Sequence, residues 1–402
     1  MTAAIDPAGT ATSAQGFSAG ATYCGIKTAG QGKLDLAILT SESPCAVAAT
    51  FTKARLHSAS VDINREKLRD GRARAVVVNS GCANSSTGRK GIDDGIEITR
   101  WAAEKLGLAE DDVLICSTGV IGHFLPMDSV RNGLAAITPT ADGGPAFARA
   151  ILTTDLVPKH GSVRFGPYTL GGSCKGSGMI HPNMATMLAF LTTDAPIEQG
   201  FLQRSLSHSV DRSFNLVSVD GDTSPSDTVL LFANGAAGGE TLTAGSPLAA
   251  EFREALEALC IHLSKAIARD GEGATRMIEF RVTGAARFED AAALVRLLST
   301  SYLLKSAIHG ADPNWGRIIA VIGRSGLDYD EGEVTVAVCG HTVFAKRQPT
   351  KLAINTPEMV SEAMKTDTVI IDVALGSGPG AATGWGCDLT AEYVHINADY
   401  HT

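Results

Sequence analysis

A mixed α/β fold is the class this sequence predicts, on three observations. Short β-branched runs end in clusters of small residues, as at 73–79 and 113–116. Between such runs lie stretches with apolar residues at helical spacing. The chain is also rich in Gly, with 43 in 402 residues, and poor in aromatics at 5%, so tight packing and many turns are expected.

Taken in order, residues 1–22 are polar and rich in Ala, Gly and Thr, and read as a loose arm leading into a first strand. Residues 73–79 form a buried strand that delivers the loop 80–88. A helix follows with Ile98, Trp101, Ala102 and Leu106 on one face and a stop at Gly107. Residues 113–116 make a second strand, ending in the small-residue loop 117–122. The turn cluster 218–227 precedes a strand at 228–232, and the Gly/Ala stretch 233–247 reads as a linker. Beyond it Phe252, Leu256, Leu259, Leu263 and Ile267 mark a long amphipathic helix. Residues 277–283 alternate like a half-exposed strand, 291–305 read as one helix, 333–338 as a strand, and 369–373 as a last buried strand. A helix opens at Thr356-Pro-Glu, with Pro in its first turn. The short echo of Leu152-Thr-Thr-Asp155 in Leu191-Thr-Thr-Asp194 reads as chance recurrence.

Composition narrows the function. A net charge of -9 argues against nucleic acid as the main partner. No apolar run approaches the ~20 residues that span a bilayer, and the N-terminus does not read as a secretory signal. The eight scattered cysteines, without a Cys-x-x-Cys, read as reduced and mostly buried in a cytoplasmic protein. The ten histidines show no His-x-x-x-His, so no metal site is expected.

Chemistry points to four places. In the run from Lys175 to Phe190, Thr186 lies between a glycine-rich loop and an apolar segment. An internal threonine hydroxyl is a poor nucleophile. Cutting Ala185–Thr186 would free an α-amine of pKa roughly 7.7–8.0 to act as base beside it. Ser117-Thr118-Gly119 can offer a hydroxyl and a backbone N–H to an oxyanion. Glu272, flanked by glycines, can hold a substrate ammonium. Asn397 and Thr402 gain a role only if the polar chain end tucks into a site. Asp312-Pro-Asn-Trp315-Gly-Arg317 reads as a packing corner. Each cluster taken alone also has an ordinary reading: a buried strand Thr, a local turn, a solvated helix end, a fraying tail.

Together they resemble one family, the self-cleaving ornithine acetyltransferases (glutamate N-acetyltransferases) of arginine biosynthesis. The resemblance spans nearly the whole chain. It rests on Asn79-Ser-Gly with Ala83-Asn84, Cys116-Ser-Thr-Gly-Val-Ile-Gly122, Thr153-Thr-Asp with Pro158-Lys159, Lys175-Gly-Ser-Gly-Met with Asn183-Met-Ala-Thr-Met-Leu188, Asp220-Gly-Asp-Thr-Ser224, Asp227-Thr228, Glu272-Gly273, Asp312 to Arg317, and the ending Asn397-Ala-Asp-Tyr. Cys82, where the family often has Asn, and Pro225-Ser226, where Thr-Asn is usual, depart from the pattern without touching a matched catalytic position.

The resemblance implies a four-layer αββα sandwich as catalytic lobe with a smaller C-terminal α/β lobe. On this chain the lobes are expected at 1–235 and 276–402, joined by a linker and helix at 236–275. It implies cleavage into an α chain 1–185 and a β chain 186–402, with Thr186 as nucleophile. Thr118 and Gly119 match the oxyanion hole; Thr153, Lys175, Thr186, Glu272, Asn397 and Thr402 match substrate-binding positions. It further implies acetyl transfer from N-acetylornithine to glutamate, no cofactor (acetyl-CoA serving only as an alternative acetyl donor), and two or more αβ units per assembly. The other layout-compatible activity is an N-terminal-nucleophile amidase or aminopeptidase.

Overall fold

The computed structural model describes residues 4–27, 32–181 and 187–399. A nine-stranded sheet runs in the order Ile5–Asp6, Lys159–Phe165, Tyr168–Lys175, Leu188–Thr193, Thr228–Ala233, Leu36–Phe51, Arg72–Cys82 and Val113–Val120, with Phe17–Thr22 also paired to Leu36–Phe51. The strand Leu36–Phe51 is 16 residues long, and its register on Arg72–Cys82 shifts between Thr40 and Cys45. Such an irregularity bends a strand, and here it divides one sheet into two facing halves.

Side-chain alternation along that strand shows the division. Leu36 and Ile38 pack outward with Ile98, Ala102, Val130 and Leu134 of the helices Gly88–Leu106 and Met127–Ala136. Ala37, Leu39, Cys45 and Val47 face inward onto Val76, Val78, Leu114, Cys116, Phe190 and Phe232. Past the shift, Ala48 packs on the far side with Phe201, Phe252 and Leu256 of the helices Gln199–Asp211 and Ala249–Arg269. The succession is helix, sheet, sheet, helix, the αββα order. An edge-to-face contact of Phe147 with Phe190, 5.2 Å between centroids, lies in the inner layer.

The second sheet has seven strands in the order Gln348–Pro349, His341–Ala345, Thr335–Val338, Thr368–Ala374, Met277–Gly284, Gly378–Cys387 and Val217–Ser218. Its core is closed by the helices Phe288–Ser299, Tyr302–His309 and Gly316–Gly323. Val217–Ser218, arriving from the first lobe, pairs with Trp385 and Gly386 and stitches the lobes together.

Several local expectations change. The described part of the N-terminal arm is packed rather than loose: Ala11 and Ala14 are buried in the inner layer, and Ile5–Asp6 pairs with Lys159–Phe165. The stretch 291–305 is two helices, not one, because Ser301 caps the second by accepting a hydrogen bond from Leu304 N. Met277–Gly284 is a central strand, and its first four residues are all buried. Thr118 and Gly119 belong to the strand Val113–Val120, paired with Ser80 and Gly81, rather than to a loop after it. All eight cysteines are free, and six are buried. Trp315 fills the corner it was read into, 5.6 Å from the Phe344 ring. Among the described residues no single helix is long and apolar enough to cross a membrane.

Candidate active site

A small cavity of about 80 Å³, open to solvent, lies at the ends of the inner strands. Its lining includes Thr118 and Gly119 at the end of their strand, Thr153 after a helix, Lys175 at the end of Tyr168–Lys175, Glu272 beyond the long helix, and Asn397 from the helix Ala391–Asp399. These six come from distant parts of the chain, and they are the described members of the set read from the sequence. Ala185, Thr186 and Thr402 lie outside the described residues. Among the described residues no cluster of three or more His, Cys, Asp or Glu side chains has metal-holding geometry.

The polar groups are ordered toward one another. Lys175 Nζ donates to Thr118 Oγ1 at 3.5 Å. Because that oxygen accepts from an ammonium, its own O–H is left to donate elsewhere and is polarised as a donor. Asn397 Nδ2 donates to Glu272 Oε2 at 2.8 Å, so the helix Ala391–Asp399 is tied to the cavity. Lys175 and Glu272 are only 4% and 8% exposed. Burial pushes the Lys175 ammonium below the ordinary lysine range, and Asp155 opposes that shift.

Two glycines make the cavity possible. Gly119 has φ 125°, and a Cβ there would meet the Gly81 backbone carbon at 2.4 Å. A Cβ on Gly178 would lie 2.3 Å from the Glu272 carboxylate.

Beneath the lining is a buried ionic cluster that sequence reading did not assign. Lys159 Nζ lies 2.6 Å from Asp155 Oδ1 and 2.5 Å from Asp270 Oδ2, with side chains 1%, 0% and 7% exposed. Burial alone would raise the Asp155 pKa, but Lys159 and Lys175 outweigh it and hold the carboxyl below the usual range. In sequence, Asp155 and Lys159 showed as the motif Thr153-Thr-Asp with Pro158-Lys159, and Asp155 also in the echo with Asp194. The two carboxylates do different work: Asp194 accepts from Gln15 N and Thr169 N.

The motif Asp220 to Ser224 braces the segment that leads to Thr186. Asp220 accepts from Met179 N and Ile180 N, at 2.5 and 2.9 Å. Thr223 Oγ1 donates to His181 O at 2.9 Å. Past the segment, Thr228 N donates to Met187 O at 3.0 Å.

A family model described as the ArgJ family matches residues 18–402. The chain is 46% identical over 408 residues to the arginine biosynthesis bifunctional protein ArgJ of Dehalococcoides mccartyi (strain CBDB1), covering 100% of both. It is 44% identical over 401 residues to the protein of that name from Halalkalibacterium halodurans, covering 98% of this chain and 96% of that one. The solved structure of the arginine biosynthesis bifunctional protein argJ from Bacillus halodurans is similar at 45% identity and TM-score 0.51, covering 54% of this chain and 100% of that chain. The motif resemblance and these similarities agree: the chain belongs to the ArgJ family.

Proposed function

We propose that this chain is a self-processing acetyltransferase of arginine biosynthesis, moving acetyl from N-acetylornithine to glutamate. The observation that carries the reading is the convergence of Thr118, Gly119, Thr153, Lys175, Glu272 and Asn397 on one cavity, in a member of a family whose relatives are named for arginine biosynthesis.

In maturation, Thr186 Oγ attacks the Ala185 carbonyl. The peptide C–N bond breaks in favour of an ester, and water opens the ester to give chains 1–185 and 186–402. In turnover, the new α-amine of Thr186 takes the hydroxyl proton as Oγ attacks the acetyl carbonyl. The C–N bond breaks, the proton passes to the departing amine, and ornithine leaves. The glutamate amine then attacks the acetyl ester, Oγ departs and is reprotonated, and N-acetylglutamate forms.

The Thr118 hydroxyl, polarised by Lys175, and Gly119 stabilise the oxyanion of both tetrahedral intermediates; one such donor is worth ~3–4 kcal/mol. Lys175 suits a substrate carboxylate, and Glu272 the ornithine ammonium. The second donor is acetyl-CoA, and the working form is an assembly of at least two αβ units in the cytoplasm.

Intact mass measurement and a denaturing gel should show two fragments divided at Ala185/Thr186. Thr186→Ala should remain one piece and lose acetyl transfer; full activity in that variant would remove Thr186 as nucleophile. Ornithine release from N-acetylornithine should depend on glutamate. Release independent of glutamate would identify a hydrolase instead.

A further inference from the structure

The buried cluster beneath the cavity joins three of the segments that line it, those holding Thr153, Lys175 and Glu272. Asp155 Oδ2 accepts from Thr153 N at 3.1 Å, and Oδ1 accepts from Gly176 N at 2.7 Å. Asp270 Oδ2 accepts from Leu156 N at 3.0 Å, and the Asp270 carbonyl accepts from Ser177 Oγ at 2.6 Å. Glu272 N donates to Ser177 O at 2.9 Å. Lys159 lies between the two carboxylates. The segments holding Thr153, Lys175 and Glu272 are therefore tied to one charged centre.

Stability alone is a poor reason for that centre. Taking three charges out of water is costly, and apolar residues of similar volume commonly hold a core as well or better. The location suggests another reason. Lys175 is itself buried and must stay an ammonium to hold a carboxylate. A buried ammonium needs a nearby anion, or it gives up its proton.

We propose that Asp155, locked by Lys159 and Asp270, is the positioning residue of this site: it fixes the Thr153, Lys175 and Glu272 segments against one another and keeps the Lys175 side chain charged. It acts through Lys175 and does not touch the reacting atoms. Other charged groups also bear on Lys175. Lys159 opposes its charge, whereas Glu272 and, once ionised, Asp227 favour it. Lys27 feels both Asp155 and Lys175, and Cys174, next in the strand, is a neutral buried thiol pushed up to about 12. Asp155 has the largest favourable effect on Lys175 among these groups.

The proposal rests on Lys175 being a substrate-binding group, so the test includes a readout that does not need turnover. Trace acetic anhydride labelling of the whole protein across a pH series, read by mass spectrometry, gives the Lys175 protonation midpoint. Asp155→Asn keeps the shape and the Gly176 contact but removes the charge. Its Lys175 midpoint should fall by about one pH unit or more. The alkaline limb of kcat/KM should move down with it, and KM for N-acetylornithine should rise roughly tenfold.

The triple variant Asp155→Asn, Lys159→Met, Asp270→Asn leaves no unpaired charge of the cluster and removes net negative charge. It should fold and show a fall in the same direction but smaller, because losing Lys159 offsets part of the loss of Asp155. An unchanged midpoint in a folded Asp155→Asn or triple variant overturns the proposal. Failure of both variants to fold also overturns it, since the cluster would then be structural. Wild-type protein without acetyl transfer would defeat the functional reading and leave the labelling result to judge Asp155.

Discussion

At the scale of single residues, Gly119 and Gly178 both exclude a side chain, and substituting them should fail in different ways. A Cβ on Gly119 would press on the backbone of the neighbouring strand at Gly81, and φ 125° is a conformation that L side chains rarely adopt. Gly119→Ala should therefore cost ~1–3 kcal/mol of stability and, by displacing the proposed oxyanion donor, roughly 100-fold in kcat with either substrate varied. The nearest atoms to a Cβ on Gly178 would be the carboxylate of Glu272, the far end of a flexible side chain. Gly178→Ala should keep its melting temperature, while KM for N-acetylornithine rises roughly tenfold and KM for glutamate changes little. Steady-state kinetics with each substrate varied in turn separates the two. A common effect on both KM values would remove Glu272 from ornithine recognition. Thr118, Gly119, Lys175 and Glu272 were legible in sequence because each sits in a compact motif. Asp155 and Lys159 also sit in such a motif, but their partnership with Asp270 was not legible, because it spans more than a hundred residues and has no local pattern.

At the scale of elements, the helix Ala391–Asp399 shows why a polar chain end was read as a tail. It has no buried residue, so it carries no amphipathic signal. What holds it is polar: Thr390 Oγ1 donates to Gly273 O at 2.8 Å and accepts from Tyr393 N, and Asn397 reaches Glu272. Such contacts stabilise little but fix position. Asn397→Ala should shift the thermal midpoint by no more than about 2 °C, as expected of an exposed side chain in a chain this long. It should weaken substrate binding by roughly tenfold, since a hydrogen bond to a charged group is worth ~1.5–3 kcal/mol. Calorimetric titration with ornithine measures the second effect, and unchanged affinity would make the helix a bystander. The division of residues 291–305 into two helices was similarly hidden. Apolar spacing continues across Thr300, and only the cap at Ser301 interrupts it.

At the scale of the whole molecule, strand order was unreadable because Leu36–Phe51 belongs to both halves of the sandwich, and only long-range pairing reveals its bend. The same central region holds a carboxyl that should shape stability against pH. Asp227, 3% exposed, precedes the strand Thr228–Ala233, which pairs with both Leu188–Thr193 and Leu36–Phe51. Among the described residues neither of its oxygens has a full hydrogen bond. Burial pushes its pKa well above the ordinary value, and nearby Met187 N–H, Lys175 and Thr52 offset this only in part. The native state therefore binds a proton where the unfolded chain, with an aspartate pKa of about 3.9, does not. The Asp227 contribution is fully present below that pH and is lost as pH rises through the raised native value. Asp155 and Asp388 act with the opposite sign. Their native values are depressed, so their contribution is present above the ordinary carboxylate value and lost as pH falls through the depressed one. His181, pushed down to about 4 by burial, favours the native state increasingly as pH rises toward 6.5. All three are unchanged in Asp227→Asn, so the difference from wild type isolates Asp227. That difference should be near zero at about pH 4 and grow with pH in favour of the variant, seen as a steadily widening gap in thermal midpoint. Thermal unfolding of both proteins in matched buffers across that range reads it directly. A gap that stays constant with pH would mean that Asp227 is already ionised in the native protein and has a partner.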